Sequence, residues 1–297
     1  MVRMLTSLMI ATICGCLPKP VPAGEAISIG SPDDGYLVGG VRLEDEGLGY
    51  RRLRPGESTR FGTATLVHAI ERAAKSVAET FPGGYPLRVG DLSNPYGGAH
   101  PRHRSHRAGR DADLIFYARD LGGLPARAAA WMAFDRFGFG THDQHVLEFD
   151  EARNWHLVRT LVLDDDARVK WMFCSNDVKA RLLRYAARHE PSAKAVARAT
   201  WVLHQPSRGQ SHADHFHVRV GCGPVERDFG CVEEAPHWPW LSDTASKRNA
   251  AAGVGGRDAQ LVDWLLGEQH LDQDGDVFRR RFGLASQPAA VTGGRFD

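Results

Sequence analysis

Apolar residues between positions 27 and 240 fall into helix-like and strand-like stretches. In segment 61–84 they recur every three or four positions and stop at Pro82-Gly83-Gly84, which predicts an amphipathic helix ending there. Segments 150–162 and 176–189 show the same spacing and predict two further helices. The second of these begins with an Asn-Asp pair, which we expect to cap it.

Shorter apolar stretches predict strands at 86–93, 111–117, 169–173, 199–206 and 215–220. The predicted strands and helices are mixed without a regular βαβ alternation. The sequence therefore predicts an α+β fold, with a small, largely antiparallel sheet flanked by helices.

The two ends of the chain differ in composition from this central part. Residues 1–16 have a charged start and a short apolar run, which indicates a signal peptide. Residues 17–26 are typical of a flexible tether, and 241–297 of a polar tail with one helix near 259–269. The remaining stretch, 27–240, is the predicted domain.

The end of the signal segment, Ile-Cys-Gly-Cys, resembles a lipobox and would make Cys16 the lipidated first residue. An ordinary cleaved signal peptide is the alternative. Either form predicts export to the periplasm of a bacterium. A lipid on Cys16 would anchor the protein to the outer membrane, and that lipid would be its only membrane contact.

Charge and cysteine content restrict the classes of partner and site. The formal net charge of +1, without a basic stripe, argues against binding to nucleic acid. Cys222 and Cys231 flank a short loop, and in an exported protein this spacing predicts a disulfide. Cys174 ends an apolar run and is predicted to be a buried small side chain.

The 14 histidines are unevenly placed along the sequence. Nine of them lie in three windows, with three in 100–106, two in 142–145 and four in 204–217. On the strand 215–220, His215 and His217 are two positions apart and therefore share a face, whereas Phe216 points the other way. Clustered imidazoles indicate metal or proton chemistry.

A catalytic zinc site needs three nitrogen or oxygen ligands and one open position. His106 in an aperiodic loop, Asp113 on the next strand and His217 on the last strand provide such a set. Gly109 would let the loop fold back, and the ligands would converge if the two strands are neighbours. His215, about 7 Å along the strand from His217, would then accept a proton from a water that the ion acidifies.

Each of these residues also has a purely structural interpretation. A histidine is often a hydrogen-bonded core or surface residue, and Asp111 and Asp113 could form a solvated strand edge. The conjunction of H-x-x-H, D-x-D and H-x-x-H-x-H favours a metal site over these readings. The motifs S-x-x-K and G-x-S-x-G are absent from the sequence, which argues against a serine nucleophile, and the zinc-peptidase motif H-E-x-x-H is absent as well.

The segments "GDLSNPYGGAHPRHRSHRAGRDADL" and "HQPSRGQSHADHFHVRVGC" closely resemble the two signature regions of the penicillin-insensitive murein endopeptidases. These are zinc peptidases of the superfamily that includes lysostaphin-type enzymes, D-Ala-D-Ala metallopeptidases and the hedgehog signalling domain. The segment "FDEARNWHLVR" also fits, and the resemblance covers residues 27–240. Its joint pattern, H-x-x-H-x(6)-D with H-x-x-H-x-H, is far more specific than H-x-x-H alone.

The resemblance implies a zinc site on the sheet, with His106, Asp113 and His217 as the ligands. His215 would be the general base that acts on water. His212 would help to stabilise the transition state or to orient that base. The implied cofactor is one zinc ion, and the resemblance leaves a second ion open.

Three further residues are matched less closely. His103 corresponds to a histidine that holds a second ion or lies beside the first. Asp143 and His145 correspond to a second-site acid and histidine, but their D-x-H spacing leaves the alignment uncertain. The resemblance assigns no role to His100 and His142.

The implied reaction is hydrolysis of the D-alanyl–diaminopimelate cross-link between peptidoglycan stem peptides. One alternative is a D,D- or L,D-carboxypeptidase of the same superfamily, in which a cation recognises a free C-terminal carboxylate. The candidates for that cation are Arg102, Arg104, Arg107 and Arg110. Another alternative is a non-catalytic, zinc-containing module that binds the cell wall.

Overall fold

The computed structural model describes residues 24–128, 130–142 and 144–242 of the chain. The predicted signal segment with Cys16, the predicted tail helix and Asp143 lie outside these residues. The five described helices are α1 (Ala64–Thr80), α2 (Glu151–Leu163), α3 (Asn176–His189), α4 (Ala193–Val202) and α5 (Pro224–Asp228). None of them is long and apolar enough to cross a membrane.

The described part of the chain also contains 15 strands. The strands up to the histidine-rich loop are β1 (Ile27–Gly30), β2 (Gly35–Val38), β3 (Val41–Arg42), β4 (Glu46–Gly47), β5 (Tyr50–Arg52), β6 (Phe61–Gly62) and β7 (Leu87–Val89). The strands after that loop are β8 (Asp111–Ile115), β9 (Ala118–Arg119), β10 (Pro125–Ala126), β11 (Phe139–His142), β12 (His145–Phe149), β13 (Val169–Phe173), β14 (Leu203–His204) and β15 (His215–Val220).

Side-chain caps determine where the long helices begin. Thr63 accepts a hydrogen bond from the backbone N–H of Leu66 and starts α1. The predicted Asn-Asp cap of α3 is wrong by one residue, because Ser175 is the N-cap and accepts from the N–H of Val178. Asp177 lies instead in the first turn, where its charge favours the positive end of the helix dipole.

The predicted strand at 199–206 is also wrong. Most of its apolar residues belong to α4, and only Leu203–His204 are extended. Ser192 caps the alanine-rich start of this helix, and Val202 and its neighbours are buried. A short, continuously apolar run has no period that separates a buried helix from a buried strand, so the sequence pattern is ambiguous here.

The main sheet has seven strands in the order β14-β13-β15-β8-β7-β5-β4. The pairs β13–β14 and β5–β7 are parallel, and the other four pairs are antiparallel. Three smaller antiparallel sheets surround it, including a four-stranded one in the order β10-β9-β12-β11. The predicted α+β fold with a largely antiparallel sheet is confirmed.

The two faces of the main sheet have different chemistry. Leu114, Phe216 and Val218 point to one face and join the hydrophobic core with the buried residues of α1, α2 and α4. Asp113 and His217 point to the other face, since side chains alternate along a strand. The polar face of the two central strands therefore carries the candidate site.

A disulfide joins Cys222 and Cys231, with an S–S distance of 2.05 Å. It closes the loop that follows β15 and contains α5. The backbone next to this loop pairs with β1, because the N–H of Gly30 donates to Gly230 and the N–H of Val232 donates to Gly30. Cys174 is fully buried as a free thiol.

Candidate metal centre

The pairing of β8 with β15 brings the predicted acid and histidine together. His217 is the register partner of Asp113, His215 that of Ile115, and Arg219 that of Asp111. Directly opposed residues of antiparallel strands have neighbouring side chains on one face. The condition for convergence, that the two strands are neighbours, is met.

The loop before β8 places His106 above this pair. His106 has a left-handed backbone conformation, with φ of 63°, and its ring is fully buried. Its backbone is held by hydrogen bonds from the Ser93 hydroxyl to its carbonyl, at 2.6 Å, and from its N–H to the Asp111 carboxylate, at 3.2 Å. A non-glycine residue held in this region is strained, and such strain concentrates at functional sites.

Gly109 allows the chain to turn from the loop into β8. Its φ is +73°, and a Cβ at this position would lie 2.6 Å from Leu37 Cδ1. Both facts require glycine.

One carboxylate oxygen lies at the centre of the site. Asp113 Oδ1 is 3.4 Å from His106 Nε2, 3.3 Å from His215 Nε2 and 3.6 Å from His217 Nδ1. The rings of His106 and His217 are 4.7 Å apart between centroids and approach edge to face. The three predicted ligands and the predicted base are thus gathered around a single oxygen.

Several buried polar atoms of this group form no hydrogen bond with the described residues. They are both ring nitrogens of His106, both carboxylate oxygens of Asp113 and Nε2 of His217. A buried polar atom without a partner costs free energy, and a bound cation would satisfy the Asp113 carboxylate and one ring nitrogen of His106. Two imidazoles and a carboxylate are a donor set that suits zinc.

The pKa shifts of Asp113 and His106 show that the Asp113 carboxylate favours a positive charge beside it. Burial would raise the pKa of Asp113, but the charges of His106 and His215 hold it well below its usual range. Burial would lower the pKa of His106, but Asp113 raises it overall. Burial lowers the pKa of His217 to about 4. His217 is therefore neutral at pH 7, which is the form that binds a metal.

Asp111 orients the ring of His217. Arg219 donates two hydrogen bonds to the Asp111 carboxylate, at 2.6 Å and 3.0 Å, and Asp111 Oδ1 lies 3.4 Å from His217 Nε2. Nδ1 of His217 consequently faces Asp113. A carboxylate behind a histidine ring is the usual way in which a metal-binding imidazole is oriented.

His215 is held from two sides. Its Nδ1 is 2.7 Å from Asp214 Oδ1, and the ring of Trp131 meets its ring edge to face at 5.0 Å between centroids. Burial would lower the pKa of His215, but Asp113 and Asp214 raise it to about 9. The ring is fixed with Nε2 directed at Asp113.

His212 and His103 contact different histidines of the cluster, His215 and His106 respectively. The His212 ring is 5.0 Å from that of His215 between centroids, and His212 also has a left-handed backbone, with φ of 52°. His103 Nε2 lies 3.1 Å from Asp91 Oδ2 and 3.3 Å from Asp113 Oδ2. Nε2 of His103 therefore lies between the Asp91 and Asp113 carboxylates.

The candidate ligands form two groups of three, each with donor atoms within 4.8 Å of one another: His103, His106 and Asp113, and His212, His215 and His217. The predicted ligand set draws on both groups, which meet at Asp113 Oδ1.

Other predicted residues lie elsewhere. His145 pairs with His142 at the β11–β12 turn, both are exposed, and neither belongs to the two groups of potential ligands among the described residues. His100 shapes the loop, because its Nδ1 accepts hydrogen bonds from the N–H groups of Arg102 and His103.

The four arginines considered for carboxylate recognition differ in their surroundings. Arg102 donates hydrogen bonds to the carboxylates of Asp91 and Glu57, and the buried Arg110 donates a hydrogen bond to the Val232 carbonyl. The Arg104 side chain is 90% exposed. Nε of Arg107 is buried without a hydrogen bond to a described residue.

Sequence reasoning missed Asp91, Asp214 and Trp131 as parts of the site. The signal for Asp214 was its position directly before His215. Asp91 follows β7 and accepts hydrogen bonds from Thr59, Arg102 and His103, and no spacing pattern pointed to it. Trp131 is placed by tertiary contacts alone.

Comparison with known proteins matches residues 28–246 to the family model described as penicillin-insensitive murein endopeptidase. A Haemophilus influenzae protein of that name is 27% identical over 237 residues, which cover 74% of this chain and 76% of that protein. Escherichia coli proteins of the same name are 27% identical over 208 residues, covering 69% of this chain and 70% of theirs.

Proposed function

Because this chain belongs to the penicillin-insensitive murein endopeptidase family, whose members are peptidases of peptidoglycan, we propose that it cleaves D-alanyl–diaminopimelate cross-links. The proposed cofactor is a zinc ion held by His106, Asp113 and His217. The observation that carries this proposal is the position of Asp113 Oδ1, within 3.6 Å of nitrogens from three imidazoles.

The donor atoms support zinc through their type and burial. Asp113 and His106 are fully buried, and their unpaired oxygens and nitrogens fit a cation. When bound there, zinc supplies Lewis acidity, which polarises a carbonyl group and lowers the pKa of a water molecule.

His215 is the residue that can transfer the proton. Its Nδ1 is engaged by Asp214, so Nε2 of the neutral ring is the atom that accepts a proton from the attacking water and returns it to the leaving amine. Trp131 and Asp214 fix the ring and limit its rotation during this transfer. His212, whose ring is 5.0 Å from that of His215 between centroids, would stabilise negative charge on the substrate carbonyl oxygen or orient the base.

The proposed location is the periplasm, where peptidoglycan is accessible. The N-terminal sequence supports export, and Cys16 is the proposed lipid anchor to the outer membrane. The disulfide between Cys222 and Cys231 is compatible with an oxidising compartment.

Digestion of a purified cross-linked muropeptide dimer, followed by mass spectrometry, tests this proposal. We expect two monomers to appear, and a chelator to stop their formation. His215→Ala should retain its metal and lose about 100-fold or more in rate. His68→Ala, which removes an exposed imidazole from α1, is the matched control and should have the wild-type rate.

Two results would overturn the proposal. One is an intact dimer together with the release of terminal D-alanine from an uncross-linked pentapeptide, which would identify a carboxypeptidase. The other is an unchanged rate in His215→Ala, which would exclude His215 as the base.

A further inference from the structure

A cavity of about 410 Å³ lies between β7, residues 127, 128 and 132, and strands β11 and β12. Two arginines, Arg88 and Arg127, and two histidines, His142 and His145, line it together with the apolar side chains Ala128, Met132 and Leu147. Its volume is in the range of small-molecule sites. The cavity therefore combines a cationic part with an apolar wall.

Strand β7 places Arg88 on the same sheet face as the metal centre. Leu87 and Val89 are buried in the core, and Val89 pairs with Leu114, which also faces the core. Arg88 lies between them in sequence and so points to the opposite face, which is that of Asp113.

Trp131 connects the cavity to the reacting groups. It is the neighbour of Met132, and its ring contacts that of His215 at 5.0 Å between centroids. It also lies directly over the sheet, because a Cβ on Gly90 would be 3.1 Å from Trp131 Cη2 and 3.0 Å from Asp113 Cβ. One tryptophan side chain thus borders both the metal centre and the segment that lines the cavity.

Among the described residues, the two arginines of the cavity have no carboxylate partner. Arg88 donates to the Ala128 carbonyl at 3.1 Å, and neither arginine forms an ion pair with a described residue. Burial, and then the charge of Arg127, lower the pKa of Arg88. By contrast Arg51, the register partner of Arg88 on β5, pairs with Glu46 at 3.1 Å.

Two guanidinium groups that repel each other in a partly buried cavity provide a site for an anion. Guanidinium groups bind carboxylates with directed, charge-assisted hydrogen bonds. None of the described residues that line the cavity is acidic. The apolar side chains of Met132 and Leu147 suit the methylene chain of a ligand that carries the carboxylate.

We propose that this cavity binds the carboxylate that lies beside the scissile amide, on the side of the leaving amine. This inference rests on the proposed peptidase function. In a cross-link that carboxylate belongs to diaminopimelate, whose methylene chain would contact Met132 and Leu147. In an uncross-linked pentapeptide the same position is occupied by the carboxylate of the terminal D-alanine.

The test measures binding without turnover, in the metal-loaded full chain carrying His215→Ala. Calorimetry compares a cross-linked muropeptide dimer with the same dimer in which this diaminopimelate carboxylate is an amide. We expect Arg88→Gln and Arg127→Gln each to weaken binding of the acid by about tenfold and to leave binding of the amide unchanged. Lys75→Gln, an exposed charge on α1 at the other sheet face, is the control.

The proposal would be overturned if the His215→Ala chain bound the dimer with the free carboxylate and the amidated dimer equally well. It would also be overturned if the arginine substitutions weakened the binding of both dimers equally. A matching pair of pentapeptides, with a free or an amidated terminus, distinguishes the two sources of the carboxylate. Suppose that the free carboxylate strengthens binding of the pentapeptide but not of the dimer. This result would support the cavity as a carboxylate site, and it would overturn the proposal that the protein cleaves cross-links. Because no turnover is needed, failed hydrolysis does not obscure this result.

Discussion

Asp214 is the residue that acts most directly on His215, the proposed proton carrier, because its carboxylate holds the Nδ1 side of that ring. Asp214→Asn removes the negative charge 2.7 Å from His215 Nδ1. We expect kcat to fall by about 10- to 100-fold while the metal content stays unchanged. Because Asp214 contributes to raising the pKa of His215 to about 9, the variant should also shift the ionisation of His215 to lower pH.

The pH dependence of kcat, measured beside metal content, checks this prediction. Asp33→Asn is the control, because it changes a carboxylate whose side chain is 53% exposed. It should leave the pH dependence of kcat and the metal content unchanged. Loss of the metal in Asp214→Asn would show that Asp214 supports the ligands rather than the base.

Asp91 contributes to folding stability through its charge. Burial would raise its pKa, but hydrogen bonds from Arg102, His103 and Thr59 hold it well below the ordinary 3.8. A carboxylate with a lowered folded-state pKa contributes stability above its unfolded pKa, and this contribution is lost as the pH falls. We expect Asp91→Asn to lower the free energy of unfolding by about 2 kcal/mol at pH 7.

Urea unfolding of wild type and Asp91→Asn between pH 7 and pH 3, with chelator present in both, measures this difference. The difference should shrink as the pH falls below the ordinary aspartate pKa. A difference that grows towards acid pH would contradict the account.

The loop closed by Cys222 and Cys231 is the element whose stability depends on a covalent bond. The two cysteines are nine positions apart, and loop-closure entropy predicts a loss of about 2.5 kcal/mol when a bond over such a loop is removed. Cys222→Ala with Cys231→Ala should therefore unfold at lower urea concentration than the oxidised wild type.

Reductant provides the control for this prediction. It should lower the stability of the wild type and leave that of the double variant unchanged, since the remaining described cysteine, Cys174, is buried. An equal effect of reductant on both proteins would contradict the assignment of this stability to the disulfide.

Helices and strands whose apolar residues recur with a clear period could be predicted from the sequence. Elements whose apolar residues show no period could not. Strand β15 begins at His215 and ends at Val220, as the alternation of its side chains predicted. The run that became α4 has no such period, so its helical state depends on Ser192 and on packing against α2 and α3. Local pattern alone cannot resolve that case.

The assembly of the site required information from the whole fold. Spacing identified His106, Asp113 and His217 as candidate ligands and His215 as the proton acceptor. The resemblance supplied the implied role of His212. The sequence could not show that β8 lies beside β15, because pairing between distant segments is set by the global topology.

Parts of the site that come from loops were hidden for the same reason. Asp91 and Trp131 reach the histidines only because the fold brings the end of β7 and residues 130–132 to the same sheet face. The cavity lined by Arg88 and Arg127 has this origin too. Residues whose position depends on tertiary contacts leave no periodic signal.

The most direct test of the account is a zinc titration of the metal-free full chain, with metal content and hydrolysis of the cross-linked dimer measured at each step. We predict that hydrolysis rises in proportion to zinc and saturates when the site of His106, Asp113 and His217 is filled. Asp113→Ala should bind zinc at least 10-fold more weakly and remain inactive. Full hydrolysis by the metal-free chain, or wild-type zinc affinity in Asp113→Ala, would contradict the account.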